Sequence, residues 1–283
     1  MTTTAYYFYF DVVTKILEAI RKGEKSIFLS LDLNLSKREW QLEQDRLILD
    51  TNTVMDAERL VSISSFKNKL FIFQNNTLAP VEVRSNGYYK LVPTAGAPIL
   101  EIDGIKMHRT KQIDPLTDAR LKTQLVVKAN DLVLDTCGGL GYSALFALKA
   151  GAQKVISFET SQAVITLRNL NPWLASLADN RLELIHGDIV HEIDNFEPCL
   201  FNSVIHDPPR FTKAFGDLYG KKFYAELFRV MAPRSKLFHY TGSPKKIKTQ
   251  DTFIKNTMKR LETSGFQALC FKDNLQGIYA QKN

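Results

Sequence analysis

Short apolar runs alternate with helical segments from Asp114 to the end of the chain. The early runs are continuously apolar, as in parallel strands that helices cover on both faces. The last two runs have no helix between them, which predicts a closing antiparallel hairpin. We therefore expect an α/β domain with a doubly wound sheet. The predicted strands are DLVLDT, KVISFE, LELIHG, SVIHD, KLFHYT, ALCFKD and GIYAQK, and the predicted helices are YSALFALKAG, SQAVITLRNLN, DLYGKKFYAELFRVM and TFIKNTMKRLETSG.

Residues 1–106 have a different pattern, in which short β-like runs are separated by polar turns. KREWQLEQDRLILD predicts two strands around a turn near Gln44–Asp45, and AERLVSISSF predicts a helix. Further strands are predicted at SIFLSLDL, KLFIFQNNTLAPVEV and GYYKLV. We expect a small N-terminal α+β accessory domain over residues 1–106, a candidate for substrate binding, and a second domain over residues 107–283.

The first residues, MTTTAYYFYFDVV, are predicted to begin a buried helix that continues through TKILEAIRKG. The segment has no basic leader and is interrupted by Asp11, so it predicts neither a signal peptide nor a membrane span. Cys137, Cys199 and Cys270 are too widely spaced to indicate a disulfide framework or a metal site. We expect a soluble, cytoplasmic protein without metal or membrane association. A formal net charge of +7 weakly favours a polyanionic partner such as RNA.

A glycine-rich turn follows the first strand of the α/β region, in LVLDTCGGLGYSALFAL. The strand ends at Asp135, and Gly138, Gly139 and Gly141 allow a tight turn and a close approach of a ligand to the backbone. A plain strand–helix turn is the alternative. The segment resembles the first motif of class I S-adenosylmethionine-dependent methyltransferases, acid-x-Gly-x-Gly-x-Gly, with Cys137 in place of the first glycine. The resemblance implies a Rossmann-like fold with S-adenosylmethionine as cofactor.

Acidic residues also end the next two strands. Glu159, followed by Thr160, ends KVISFE, and an acid at this place accepts hydrogen bonds from the ribose hydroxyls of a nucleoside. The resemblance implies that Asp188, in HGDIV, faces the adenine amino group and that Ile189 packs on the adenine ring. We therefore assign the residues of the glycine turn and of the strand ends to cofactor binding: Asp135, Cys137, Gly138, Gly139, Gly141, Glu159, Thr160, Asp188, Ile189 and Asp207. The resemblance covers roughly residues 113–283.

The fourth strand ends in SVIHDPPRF, where Pro208 and Pro209 must terminate the sheet ladder. The turn is similar to the (Asp/Asn)-Pro-Pro-(aromatic) motif of methyltransferases that modify exocyclic or amide nitrogens. Asp207 and a backbone carbonyl of the turn are predicted to accept N–H hydrogen bonds from the acceptor nitrogen. Arg210 occupies the usual aromatic position. Either Phe211 or the guanidinium of Arg210 stacks on a base, or Arg210 binds a phosphate or carboxylate of the acceptor. A structural Pro-Pro terminator with a capping acid is the alternative.

Histidines lie beside this turn. His206 precedes the acid and His239 ends the fifth strand, and each is a candidate proton acceptor or a structural hydrogen-bonding residue. Tyr240 is a further candidate for the substrate pocket. His186 is expected near the adenine edge, and His191 on the surface.

Basic residues occur in two further segments. In KMHRTKQIDP, Arg109 or Lys111 is a candidate partner for the cofactor's carboxylate, and a solvated linker is the alternative. A second run leads into the last predicted helix and is either a phosphate-binding surface or a solvated helix face; it comprises Lys245, Lys246, Lys248, Lys255, Lys259 and Arg260.

The segments MHRTKQIDPLTDAR, LDTCGGLGY, NPW and IHDPPRF together resemble a group of archaeal predicted methyltransferases. The leading hypothesis is an RNA N-methyltransferase that acts on a base nitrogen of tRNA or rRNA. Methyl transfer to a small molecule or protein amine and aminopropyl transfer, as in spermidine synthases, are the alternatives among enzymes. A non-catalytic nucleoside-binding module is the alternative outside enzymes.

Overall fold

The structure is a computed structural model that describes residues 4–211, 213–242 and 250–283. It divides into two compact units, one comprising Met1–Thr110 and Asn169–Trp173, the other Lys111–Arg168 and Leu174–Asn283. Lys245, Lys246 and Lys248 of the basic run lie outside the described residues. Among the residues described, no helix has the length and hydrophobicity that a bilayer crossing requires. The same residues contain no group of three or more His, Cys, Asp or Glu side chains suited to a metal ion.

The N-terminal unit is built from short antiparallel strands and short helices. Its strands are β1 (Tyr6–Tyr9), β2 (Ser26–Leu29), β3 (Arg38–Glu43), β4 (Arg46–Asp50), β5 (Thr53–Asp56), β6 (Leu70–Gln74), β7 (Thr77–Pro80), β8 (Glu82–Arg84), β9 (Tyr88–Val92), β10 (Ile99–Ile102) and β11 (Ile105–Lys106), and its helices are α1 (Phe10–Arg21) and α2 (Ala57–Ser64). The strands form sheets in the orders β1-β6-β7, β2-β3-β4-β5 and β11-β10-β9-β8. Phe8, Ile16, Leu47 and Met55 are wholly buried in a core between these elements.

Two predictions for this unit were wrong at particular residues. Tyr6–Tyr9 does not begin the helix but forms β1, which pairs antiparallel with β6 so that Tyr6 lies opposite Phe73. Aromatic side chains favour strands because they pack against cross-strand neighbours. The strand predicted at SIFLSLDL ends at Leu29. The Ser30 hydroxyl accepts hydrogen bonds from the backbone N–H groups of Asp32 and Asn34, which closes a turn there.

The segment Asn169–Trp173, which contains NPW, belongs to the N-terminal unit although it lies within the α/β region of the sequence. The indole Nε1 of Trp173 donates a hydrogen bond to the carbonyl of Leu33 at 2.9 Å. The Tyr7 hydroxyl donates to the carbonyl of Leu170 at 2.6 Å. These contacts join segments that are far apart in sequence, so local patterns could not predict them.

The C-terminal unit alternates strands and helices as predicted. Its strands are β12 (Leu132–Asp135), β13 (Lys154–Glu159), β14 (Leu182–His186), β15 (Phe201–His206), β16 (Met231–Tyr240), β17 (Gln267–Lys272) and β18 (Gly277–Gln281). The helices are α3 (Pro115–Val126), α4 (Tyr142–Lys149), α5 (Gln162–Asn169), α6 (Ile189–Glu192), α7 (Lys221–Val230) and α8 (Gln250–Thr263). Short 3-10 helices cover Pro172–Leu177, Ile193–Asn195 and Lys213–Tyr219.

The strands of this unit form a seven-stranded sheet in the order β14-β13-β12-β15-β16-β18-β17. The first five are parallel, whereas β18 runs antiparallel to both of its neighbours. This confirms the doubly wound α/β sheet with a closing hairpin. The chain order reverses between β12 and β15, and in open α/β sheets ligands bind beyond the carboxyl ends of the strands at such a point.

Helices cover both faces of the sheet, which explains the continuously apolar strands. Leu134 and Val204 pack on one face with Tyr224 and Leu227 of α7, and Val133 packs on the other face in a cluster that includes residues of α3 and α4. One predicted helix is divided. Residues 217–219 belong to the 3-10 helix, and α7 begins only at Lys221 because Gly220 has an extended backbone.

Candidate active site

The glycine loop, residues 136–141, leaves the end of β12 with left-handed backbone conformations. Gly139 has φ +51° and Gly141 has φ +90°, conformations that glycine adopts without strain. Gly138 is required for a different reason, because a Cβ there would lie 2.2 Å from Ser157 Oγ. At Gly139 a Cβ would meet no described atom within 4 Å, so the loop leaves open space beside its backbone. The loop thus combines a tight turn with room for a ligand.

Asp135 is wholly buried at the start of this loop. Its Oδ2 accepts hydrogen bonds from the hydroxyls of Ser143 at 2.8 Å and Ser157 at 2.9 Å. Burial raises the pKa of Asp135 to about 6, although both hydroxyl hydrogen bonds and Arg168 oppose this shift. Its Oδ1 has no hydrogen-bond partner among the described residues. A buried carboxylate oxygen in that state favours a cationic or N–H donor from a ligand.

Arg168 stabilises the glycine loop by hydrogen bonds to the backbone, a role that the sequence did not indicate. Its side chain is buried in α5, and its Nε donates a hydrogen bond to the carbonyl of Gly139 at 2.8 Å. Nη2 donates to the same carbonyl. Burial lowers the pKa of the guanidinium, while Glu159 and Asp135 raise it. No local pattern marks this arginine, because its partner lies 29 residues away along the chain.

Glu159, at the end of β13, contacts the other side of the glycine loop. Its Oε2 accepts a hydrogen bond from the N–H of Gly139 at 3.0 Å, and its Oε1 accepts one from the N–H of Ser161 at 2.9 Å. These bonds fix the carboxylate beside the loop and leave each oxygen a further acceptor site. Thr160 is exposed next to it. Ribose binding by this pair remains a prediction.

The end of β14 differs in part from the prediction. Asp188 is exposed and caps α6 by accepting a hydrogen bond from the N–H of Val190 at 2.9 Å. Ile189, by contrast, is buried in the hydrophobic core against the sheet, so its side chain is not exposed for packing on an adenine ring. His186 contacts the carbonyl of Thr160 at 3.1 Å, and His191 is exposed as predicted.

Asp207 lies directly beyond β15 and forms an ion pair that the sequence did not indicate. Its Oδ2 accepts a hydrogen bond from Lys122 Nζ at 2.7 Å, and the same ammonium lies 2.8 Å from Asp118 Oδ2. Burial lowers the pKa of Lys122, but Asp207 and Asp118 outweigh this effect and the net shift is upward. Lys122 is therefore charged at neutral pH and fixes the acid of the Asp-Pro-Pro-Arg turn.

Of the two roles left open for His206, proton acceptor or structural hydrogen-bonding residue, the geometry favours the structural one. The imidazole is wholly buried, and both nitrogens are engaged, Nδ1 with Thr136 Oγ1 at 2.7 Å and Nε2 with the carbonyl of Leu218 at 2.9 Å. Because a carbonyl only accepts, Nε2 carries the proton and Nδ1 accepts from the threonine. Burial also lowers the pKa of His206 to about 4. His206 is thus a neutral structural residue.

His239 is buried beside it, with ring centroids 4.5 Å apart. Its Nε2 lies 2.8 Å from the hydroxyl of Tyr224, and burial lowers the pKa of His239 well below its ordinary value. This placement makes His239 part of the core and not a substrate-binding residue. Tyr240, the next residue, is half-buried with its ring 4.2 Å from Lys122 Nζ, so it adjoins Asp207 through that ammonium.

Aromatic rings surround the exit of the Asp-Pro-Pro-Arg turn. Phe211 is 51% exposed, and its ring centroid lies 5.4 Å from that of Tyr219 and 5.5 Å from that of Phe253. Tyr219 also fixes the turn, since its hydroxyl donates to the carbonyl of Pro209 at 2.9 Å. We call Phe211, Tyr219 and Phe253 the aromatic shelf. Arg210 is exposed beside Phe211.

The remaining candidates from the sequence are Cys137 and the residues of the two basic segments. Burial raises the pKa of the Cys137 thiol well above its ordinary value, so this cysteine is a packing residue of the loop. His108 Nδ1 accepts a hydrogen bond from the N–H of Leu100 within the N-terminal unit. In the basic run, Lys255 and Lys259 are exposed, but Arg260 donates to the carbonyl of Tyr219 at 3.2 Å. Roles for Arg109 and Lys111 in cofactor binding remain predictions.

The donor-side residues fit S-adenosylmethionine by the chemistry of their groups. Asp135 presents a buried acceptor oxygen, and the backbone at Gly139 has open space beside it. Glu159 ends β13, and Asp188 follows the neighbouring strand β14 at the same edge of the sheet. An ammonium, a ribose and an adenine amino group are complementary to these carboxylates.

Comparison with known proteins gives the chain a family. No protein-family model matches it. The uncharacterized protein MJ1233 of Methanocaldococcus jannaschii is 37% identical over 276 residues, which cover 96% of this chain and 95% of MJ1233. The chain belongs to the MJ1233 family.

The MJ1233-family chain also resembles part of two ribosomal RNA methyltransferases. Ribosomal RNA large subunit methyltransferase I of Shigella flexneri is 28% identical over 138 residues, which cover 46% of this chain and 34% of the enzyme. The Aliivibrio fischeri enzyme is 27% identical over 151 residues, which cover 51% and 38%. The chain thus spans little more than a third of the length of these relatives.

Solved structures with a similar fold include spermidine synthases. The spermidine synthase bound to the transition-state analogue AdoDATO has a TM-score of 0.57 at 19% identity, covering 75% of this chain and 76% of that one. The Thermotoga maritima enzyme has a TM-score of 0.57 at 18% identity, covering 76% of both chains. At such identity the likeness shows the fold alone. This fold and the methyltransferase relatives support the class I methyltransferase superfamily for the MJ1233-family chain.

Proposed function

We propose that the chain is an S-adenosylmethionine-dependent N-methyltransferase that acts on a base nitrogen of RNA. The observation that carries the proposal is the position of Asp207 relative to the glycine loop. Strands β12 and β15 are adjacent and parallel, with Asp135 opposite Ile205. The loop after Asp135 and the turn at Asp207 therefore leave the same edge of the sheet side by side. A donor and an acceptor bound to them would meet there.

On the donor side, the chain's own residues bind and orient the cofactor. Asp135 and the glycine loop would hold the amino-acid end, Glu159 with Thr160 the ribose, and Asp188 the adenine. Arg168 fixes the loop through the carbonyl of Gly139, and Glu159 fixes it through the N–H of the same residue. When bound, S-adenosylmethionine supplies an electrophilic methyl group on a sulfonium.

On the acceptor side, Asp207 accepts an N–H hydrogen bond and so orients the nitrogen lone pair toward the donor. Its negative charge offsets the positive charge that grows on the nitrogen during transfer. Pro208 and Pro209 stiffen the turn, and the Tyr219–Pro209 hydrogen bond holds its far end. The acceptor atom is thus met by groups that are already in place, which lowers the entropic cost of alignment.

An acceptor nitrogen that is neutral at pH 7 suits this site best. An aliphatic amine arrives as ammonium and must lose a proton before it can attack. His206 cannot take that proton, since both nitrogens are engaged and its pKa is lowered to about 4. Asp207 is already paired with Lys122. An aromatic amine, an unprotonated ring nitrogen or an amide is already neutral before attack, and an acceptor that carries N–H releases its proton to solvent after the methyl group has been transferred.

RNA is the acceptor that the surroundings favour. The aromatic shelf offers an exposed ring for base stacking, and Arg210 beside it suits a phosphate. The relatives with a named acceptor are ribosomal RNA methyltransferases, and a net charge of +7 favours a polyanion.

Aminopropyl transfer is the second candidate, because the spermidine synthases share the fold. Such a reaction needs acids to bind a polyamine cation. The acid pair at this edge, Asp118 and Asp207, is already bridged by Lys122, which leaves less negative charge for a cationic substrate. Tight binding of decarboxylated S-adenosylmethionine in preference to S-adenosylmethionine would favour this candidate.

Transfer of labelled methyl groups from S-adenosylmethionine into fractionated cell extract tests the proposal. We expect label in a fraction that ribonuclease destroys and protease leaves intact. Label in a protease-sensitive or low-molecular-weight fraction would contradict RNA as the acceptor. Donor binding without transfer to any fraction would indicate a non-catalytic nucleoside-binding module.

A further inference from the structure

Lys122 is a buried cation that contacts the acid of the Asp-Pro-Pro-Arg turn. We infer that Lys122 and Asp118 are positioning residues that fix the carboxylate of Asp207 for the acceptor nitrogen. We call Asp118, Lys122 and Asp207 the acceptor brace. The inference rests on the proposed N-methyl transfer and names residues that the Asp-Pro-Pro-Arg motif does not contain.

The brace joins two elements that are distant in sequence. Asp118 and Lys122 are one helical turn apart on α3, and their side chains are each only 7% exposed. Asp207 comes from the turn after β15 and is 31% exposed, so the brace reaches from the interior to the open edge of the sheet. The buried end is fixed by the helix, and the open end is the carboxylate that faces the acceptor.

The ammonium of Lys122 is held from a third direction by aromatic rings. Nζ lies 4.2 Å from the ring centroid of Tyr240 and 5.9 Å from that of Phe238, both on β16. A cation over a desolvated ring is attracted by the ring's quadrupole. The two carboxylates and the ring of Tyr240 together restrict the position of the ammonium, and Asp207 is fixed through it.

Asp118 is needed because it holds the ammonium that Asp207 contacts. Lys122 Nζ lies 2.8 Å from Asp118 Oδ2 on the same helix and 2.7 Å from Asp207 Oδ2. Without the carboxylate of Asp118, the ammonium would lose a buried partner that restricts its position, and the Asp207 carboxylate would be fixed less firmly.

Three full-chain variants test the inference: Lys122→Met, Asp118→Asn and the control Thr123→Val. Thr123 is wholly buried on the same helix, and its hydroxyl has no hydrogen-bond partner among the described residues. Lys122→Met should lower kcat for RNA methylation about 100-fold, the usual cost of misplacing a reacting group by about 1 Å. Asp118→Asn should lower kcat by less, and the dissociation constant for S-adenosylmethionine should be unchanged in both. Thr123→Val should retain wild-type kcat.

Several results would overturn the inference. Transfer by Lys122→Met at the rate of Thr123→Val would show that the brace does not position the acceptor. A parallel loss of kcat, donor affinity and melting temperature would show a merely structural role. Where Lys122→Met does not fold, the double variant Asp118→Leu/Lys122→Met, which removes both charges of the buried pair on α3, serves in its place.

A crystal structure of the Lys122→Met chain gives a readout that does not require turnover. The inference expects the Asp207 carboxylate to leave its wild-type position, and an unmoved carboxylate would overturn it. Failure of the wild-type chain to methylate any RNA would instead contradict the proposed function. The two failures are therefore distinguishable.

Discussion

The Oδ2 atom of Asp135 lies 2.9 Å from the hydroxyl of Ser157, and Gly138 packs directly over this pair. The contact joins β12 to β13 at the point where the glycine loop begins. This contact therefore links the position of the loop to the ionisation of Asp135 and to the space for a donor.

Substitution of Gly138 should damage both the fold and donor binding. In Gly138→Ala the new Cβ would lie 2.2 Å from Ser157 Oγ, so Ser157 must leave Asp135 or the loop must shift. We expect a loss of roughly 1–3 kcal/mol in the free energy of unfolding, as for other overpacked sites, with weaker binding of S-adenosylmethionine by calorimetry. Gly216→Ala is the control, because a Cβ there meets no described atom within 4 Å. Equal effects in the two variants would refute this account of the loop.

Donor affinity should depend on pH through Asp135. Burial raises the pKa of this carboxyl to about 6, so the acid is ionised above pH 6 and protonated below it. Only the ionised form attracts the ammonium of the donor. The dissociation constant for S-adenosylmethionine should therefore rise about tenfold from pH 7 to pH 5. Asp135→Asn should bind weakly at both pH values, and a wild-type affinity that does not change over this range would exclude the assignment.

His206 should contribute to stability and not to proton transfer. His206→Asn, which keeps an acceptor for the Thr136 hydroxyl, should retain most of kcat at pH 7. Burial lowers the pKa of His206 from 6.5 to about 4, so between these pH values the unfolded chain binds a proton that the folded chain does not. Wild-type stability should therefore fall as pH decreases from 6.5 to 4, by about 3 kcal/mol from this residue. Denaturant unfolding at several pH values should show this pH-dependent contribution in the wild type and not in His206→Asn. A large loss of kcat in the variant would indicate instead that His206 acts as a base.

The sequence predicted most of the elements that have a local cause. The apolar runs and the glycine turn predicted the parallel sheet, and the prolines after Asp207 predicted where β15 ends. The aromatic run Tyr6–Tyr9 was misread as helix because its partner strand β6 lies more than 60 residues away. The placement of Asn169–Trp173 in the N-terminal unit depends on long-range contacts of the same kind.

Residues of the candidate site likewise divide into those with a local sequence signal and those that only long-range contacts bring into place. Motif positions such as Asp135, Glu159 and Asp207 could be selected from the sequence, because strand ends carry ligands in this type of sheet. Lys122 and Arg168 could not, since each is a cation on an ordinary helix whose partner is brought to it only by the fold. The role of His206 stayed open because a histidine at a strand end gives no indication of burial, and burial determines its protonation.

Phe211 should set affinity for the acceptor rather than for the donor. It is the exposed ring of the aromatic shelf, and base–aromatic stacking contributes about 1–3 kcal/mol per base. Phe211→Ala should raise KM for RNA about tenfold or more, while S-adenosylmethionine binds as in the wild type. Leu184→Ala removes an exposed apolar side chain from β14 and serves as the control. An unchanged KM for RNA in Phe211→Ala would contradict stacking on Phe211 and favour stacking on the guanidinium of Arg210.

Methyl transfer to purified, unmodified tRNA and rRNA by the wild type and by Asp207→Asn tests the central claim most directly. Asp207→Asn keeps the shape of the side chain but removes its charge, and Asp194→Asn, an exposed acid outside the site, is the matched control. The account predicts a fall in kcat on the order of 100-fold or more for Asp207→Asn, with donor binding intact and Asp194→Asn fully active. Undiminished transfer to RNA by Asp207→Asn would contradict it.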